Sequence, residues 1–212
     1  MHASSRDMIQ LLNPKRRDIA KVLLGLGLFA LYNYKTTSSH AKGSRLLIDS
    51  FDNDFRSNLG TQWRGVSDQV MGGISDVSVV RETIDGRKCL RLSGDVRLDN
   101  NGGFIQAALD LAPHGKTFDA RVYTGIRLSV RGNDEDYSVH LRTPDNVRPW
   151  QSYRAQFQTD TAWQTIELPF ESFAPYRLQS PLNASRLRRV ALVAVGREFR
   201  ADLAVSEISF YR

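Results

Sequence analysis

From residue 45 onward, apolar residues recur with a period of two. Ile126, Leu128 and Val130 alternate with Arg127, Ser129 and Arg131. Tyr137, Val139 and Leu141 alternate with Ser138, His140 and Arg142, and Tyr153, Ala155 and Phe157 alternate with Arg154, Gln156 and Gln158. Side chains of an extended strand point alternately to its two faces, so each run predicts a strand packed on one side only. Residues 46–49, 77–81, 89–92, 104–109, 122–130, 137–142, 153–158, 163–168, 190–195 and 203–211 read as strands. Turn residues separate them: Asp85-Gly86, Asn100-Asn101-Gly102-Gly103, Gly132-Asn133-Asp134 and Pro144-Asp145-Asn146. No segment in this region shows a helical period for more than about two turns. Many short strands with regular turn signals predict an all-β sandwich or barrel.

Consecutive strands tend to be neighbours. If the three alternating strands are, then Arg127, His140, Arg142, Arg154 and Gln156 share one polar face. That face is either a solvated sheet surface or a docking surface, with Trp150 in the loop beside it.

The first 41 residues follow a different grammar. Lys15-Arg16-Arg17 precedes the apolar run Val22–Leu31, and Ser39-His40-Ala41 offers small residues for cleavage after Ala41. Ten helical residues cover about 15 Å, half the thickness of a hydrocarbon core. A basic start, a short apolar run and a small-residue exit are the marks of an export signal. Arg16-Arg17-Asp18-Ile19-Ala20-Lys21 also resembles the bacterial twin-arginine signal. The expectation is therefore a leader or membrane anchor over 1–41, a linker over 42–45 and a β-sandwich over 46–212. That places the domain in the periplasm, soluble or tethered, with membrane contact through residues 19–34 if the leader is kept. The alternative is a mitochondrial presequence, against which Asp7 and Asp18 count.

This division changes the meaning of the charge. The net charge is +6, but residues 1–41 hold six basic residues against two acids and so supply most of it. The basicity of the remainder is too small to argue for nucleic acid. One cysteine, Cys89, excludes an intramolecular disulfide framework and any multi-cysteine metal site within the chain. Besides His2 and His40 there are only His114 and His140, without ligand spacing, so neither a metal nor another cofactor is expected. His140 reads as an exposed strand residue. Asp49, Asp52 and Asp54 lie close together but lack the glycine and distal glutamate of an EF-hand loop. No pair of carboxylates is marked as catalytic, and no enzyme activity is expected.

The stretch Val66-Ser67-Asp68-Gln69-Val70-Met71-Gly72-Gly73-Ile74-Ser75 is not a phosphate loop, because no Gly-Lys-Ser/Thr ending follows. Nor does a helix pattern follow it, as a dinucleotide site requires. Its residues suit a structural turn. Gly72 and Gly73 allow a left-handed backbone or close approach, Met71 fills the core, and Asp68 and Ser75 satisfy turn amides.

Trp63, Asp68, Met71, Gly72, Gly73 and Ser75 together resemble the first motif of the complex I intermediate-associated protein family, with Ser67 in place of the usual Asn. Asn100, Asn101, Gly102, Gly103 and Phe104 resemble its second motif, although Gln106-Ala107-Ala108 stands where an arginine is common. Later strands are similar to those of galactose-binding-like jelly rolls, including some carbohydrate-binding modules. The resemblance covers roughly 46–212. It implies a jelly-roll β-sandwich without a catalytic centre, acting by protein binding as assembly factor or accessory subunit. The implied partner is a membrane-bound respiratory or photosynthetic complex. The competing expectation is a periplasmic carbohydrate-binding module using Trp150.

Overall fold

The computed structural model describes residues 45–212 except residue 54, so the leader, its cleavage site and its membrane contact lie outside the described residues. Twelve strands form two six-stranded antiparallel sheets, and no α-helix occurs among the described residues. The first sheet contains β1 (Leu46–Asp49), β3 (Ser78–Ile84), β4 (Arg87–Val96), β6 (Gly125–Arg131), β9 (Gln164–Pro169) and β12 (Phe199–Tyr211). Its order is β3-β4-β12-β6-β9, with β1 beside the far half of β12. The second contains β2 (Arg64–Ser67), β5 (Phe104–Asp110), β7 (Asp136–Arg142), β8 (Ser152–Gln158), β10 (Ala174–Tyr176) and β11 (Arg189–Val195), in the order β10-β8-β7-β11-β5-β2.

The two sheets pack their apolar faces together as the alternation requires. Ile126, Leu128 and Val130 of the first sheet share one continuous core with Ile105, Val139, Leu141, Tyr153, Val190 and Leu192 of the second, all of them fully buried. In β12 the buried positions change phase: Ala201, Leu203 and Val205 face inward, then Ile208 and Phe210. A register shift between Val205 and Glu207 accommodates the change, since one extra residue returns the apolar set to the core. Cys89 is buried too. Burial first, and then Glu82, push its thiol above the ordinary range, as suits a packing residue.

The strand order corrects the expected polar face. β6 and β7 are consecutive but lie in different sheets, so Arg127 does not share a face with His140 and Arg154. It faces outward on the first sheet, 3.7 Å from Glu167. Trp63 packs against the core, whereas the Trp163 ring lies half-buried under the Arg87 guanidinium. The short strands β2 and β10 have no counterpart in the sequence pattern, because Arg-Gly-Val-Ser and Ala-Pro-Tyr show too few alternations to read as strands.

Candidate functional site

The two glycine motifs meet at one buried carboxylate. Asp68 is fully buried at the start of a 3-10 turn, Asp68–Met71, that follows β2. Its Oδ1 accepts the Ser75 N–H at 2.9 Å. Its Oδ2 accepts the Gly103 N–H at 2.6 Å, the Phe104 N–H at 3.3 Å and the Ser75 hydroxyl. Ser75 Oγ in turn accepts the Arg97 N–H at 2.9 Å. Burial pushes the Asp68 carboxyl upward, but the hydrogen bonds from Ser75, Gly103 and Phe104 outweigh it and hold the group below its ordinary value.

The glycines have different reasons to be there. Gly72 closes the turn in the left-handed region, at φ 91°, with open space where a side chain would go. Gly73 and Gly102 instead leave room for the carboxylate. A Cβ on Gly102 would lie 2.5 Å from Asp68 Oδ2, and one on Gly73 would lie 2.8 Å from Asp68 Cβ and closer still to its carboxyl group. Asn100 joins the motifs a second time by donating to the Gly72 carbonyl at 3.2 Å. Trp63 is not part of this knot; its indole N–H donates to Asp49 at 2.8 Å. Asp49 also accepts from Arg81 and from the Phe51 N–H, so its oxygens are already engaged within the protein.

The knot sets the position of the residues around it. Met71 does not fill the core as expected; it is 48% exposed, and Val70 is more exposed still. The buried Asp68 fixes the turn so that these two side chains project along the outer face of the second sheet. There they border a groove of about 300 Å³. Its floor is Phe104, Ala191, Val193 and Val195; Ala108, Ala191 and Val193 form a second, smaller apolar cluster with Phe104 and Val195. Its other end holds His140, Arg142, Arg154, Trp150 and Tyr176.

This polar end differs from a solvated sheet face. His140 is only 9% exposed, not an exposed strand residue, and its Nε2 is buried without a hydrogen-bond partner. Burial first, then Arg154 and Arg142, push its pKa down to about 3. Arg142 and Arg154 are half-buried, and burial is also the main cause that lowers each guanidinium below its ordinary range. Arg142 donates to the Arg148 carbonyl at 2.8 Å and Arg154 to Ser152 Oγ at 2.9 Å. Arg154 also lies 3.4 Å from the centroid of the Tyr176 ring, which it covers on one face. Trp150 is 49% exposed at the rim. Gln156 shares this face of β8, one residue pair beyond Arg154. A wider depression of about 560 Å³ on the first sheet contains Arg127, but Arg127 and Arg45 there face Glu167 and Glu207.

His140 supplies a pH prediction. A base whose folded pKa lies below its unfolded value of 6.5 adds stability that is present above pH 6.5 and lost as the pH falls toward 3. Between pH 7 and 4.5 the loss from this group is about 2–3 kcal/mol, at about 1.4 kcal/mol per pH unit. Urea unfolding at the two pH values should show it, and His140→Gln should reduce it.

A sequence model of the Complex I intermediate-associated protein 30 (CIA30) family matches residues 53–205. The chain belongs to that family. Comparison with curated proteins found no match. Among solved structures, the family 11 carbohydrate-binding module of a Clostridium thermocellum cellulosomal cellulase is similar. Its TM-score is 0.61 at 17% identity, over 80% of this chain and 95% of that one. The same family 11 module in complex with a β-1,3-1,4-mixed-linked tetrasaccharide gives 0.59 at 16% identity, over 79% and 95%. A family 30 carbohydrate-binding module from a Clostridium thermocellum cellulosomal cellulase gives 0.56 at 14%, over 79% and 96%. At these identities the likeness shows the fold alone: this CIA30 domain is a jelly-roll β-sandwich.

Apart from Phe104, the sequence does not mark the groove floor, nor does it mark Tyr176. One signal for the floor is present. β11 reads Arg-Val-Ala-Leu-Val-Ala-Val, apolar on both faces, so its outer face needs cover or a ligand.

Proposed function

We propose that this CIA30 domain is a non-enzymatic protein-binding module. It serves as assembly factor or accessory subunit of a membrane-bound redox complex and docks through the groove of the second sheet. The observation that carries this reading is the groove itself, together with family membership. An apolar floor, exposed Val70 and Met71, and cationic side chains without acidic partners form a surface suited to a polypeptide partner. The leader supports a periplasmic site of action, with contact to the membrane if residues 19–34 are retained. Among the described residues no helix is long and apolar enough to cross a membrane.

The carbohydrate-binding alternative has Trp150 in its favour, because an exposed ring at a groove rim can stack on a sugar. Against it, Arg154 covers one face of Tyr176, and the floor is aliphatic apart from Phe104.

The test is affinity capture from membranes solubilised in mild detergent, with a photo-reactive residue placed at Met71 on the groove wall. A membrane-complex subunit should cross-link. Recovery of the tagged chain alone at low salt would count against the proposal.

A further inference from the structure

The polar end of the groove has an unusual set of unmet demands. His140 Nε2 and Arg142 Nε are both buried without a partner. Buried polar atoms are nearly always hydrogen-bonded, so two orphans in one groove call for an explanation. Arg142 and Arg154 form no ion pair among the described residues, and no acidic side chain lines the groove. Arg189, by contrast, is paired with Asp110 at 2.7 Å. His140 and Arg154 are directly opposed across β7 and β8, and Arg142 follows His140 two residues along the same face. Two guanidiniums and a buried neutral imidazole thus line one end of the groove without a counter-charge, and an oxyanion there is their complement.

We infer that His140, Arg142 and Arg154 form a carboxylate-binding site, and that its ligand is an Asp or Glu side chain of a partner polypeptide with an aliphatic residue beside it. This rests on the reading of the groove as the partner-binding face. Two observations select a peptide. The basic end shares one groove with the exposed apolar side chains Val70 and Met71. An extended peptide carries side chains on one side at intervals of about 7 Å, so an acid at the basic end and an aliphatic residue further along the same side reach both parts of the groove. The exposed side chains of Val70 and Met71 are not aromatic, which suits Leu, Ile, Val or Met better than a sugar face.

The experiment selects random dodecapeptides displayed on phage against the full chain. Enriched peptides should carry Asp or Glu two or four positions from an aliphatic residue, and changing that acid to its amide should weaken binding at least tenfold. Arg142→Gln and Arg154→Gln chains, checked by thermal melting for intact folding, should lose the preference, and Arg154→Lys should keep part of it. No enrichment, enrichment without acids, or a preference that survives both glutamine substitutions would overturn the inference. A parallel arm uses oligoglucuronate. If it binds and acidic peptides do not, the carboxylate belongs to a sugar and the peptide assignment is wrong. Membrane capture that succeeds while the selection yields no acid leaves the docking proposal standing without this site. The reverse outcome removes the docking proposal and leaves the site.

Discussion

Asp68→Ala should lower the unfolding free energy by about 4 kcal/mol, a large part of the roughly 5–15 kcal/mol that holds a typical domain folded. The substitution leaves the N–H groups of Ser75, Gly103 and Phe104, and the Ser75 hydroxyl, without their acceptor in a fully buried place. Each orphaned donor costs about 1–3 kcal/mol, and relaxation that admits water recovers part of the sum. Asp68→Asn should fall between wild type and alanine. It keeps the volume, but its amide NH₂ must face either the Ser75 or the Gly103 donor. Urea unfolding at neutral pH measures all three.

The pH dependence gives an independent check. A carboxyl whose folded pKa lies below its unfolded 3.8 adds stability that is present above that value and lost as the pH falls through the folded pKa. The alanine variant should therefore lose part of the acid limb below about pH 4, while the His140 slope at higher pH remains.

Gly73→Val is the second large effect, about 3–5 kcal/mol of destabilisation or failure to fold. Its cause is steric. Gly73 is not among the left-handed glycines, but any side chain there enters the space of the Asp68 carboxylate and must break its hydrogen bonds to find room. Gly72→Ala makes the useful contrast. It has a left-handed backbone but open space, so only strain of about 1 kcal/mol is expected. A double-mutant cycle separates the two causes. Gly73→Ala should cost less in the Asp68→Ala background than in wild type, because the carboxyl group is gone and only the 2.8 Å contact with the Cβ of residue 68 remains. Additive costs would show that Gly73 is required for a reason other than the carboxylate.

These effects show how far the sequence can be read. The alternating runs around Ile126, Tyr137 and Tyr153 announce their strands because one face of each is buried and the other is polar. Asp68 and Ser75 are recognisable as partners of turn amides. That one carboxylate serves both glycine motifs is a matter of tertiary structure, since Asp68 and Gly103 are 35 residues apart. Met71 defies its sequence reading because an apolar side chain after a short strand ordinarily turns inward; here the buried Asp68 takes the inward position. His140 reads as exposed because it alternates with core residues. Alternation tells which face a residue is on, but not whether that face is concave. Arg127 falls on the other sheet because the chain changes sheets between β6 and β7, and the alternation is the same whichever sheet a strand joins.

The central claim is that the groove of the second sheet holds the partner. Photo-reactive residues at Met71 on the groove wall and at Glu167 on the outer face of the first sheet, compared in one capture from solubilised membranes, decide it. A cross-link to a subunit of a membrane complex is expected from Met71 and none from Glu167. Cross-linking from Glu167 alone would contradict it.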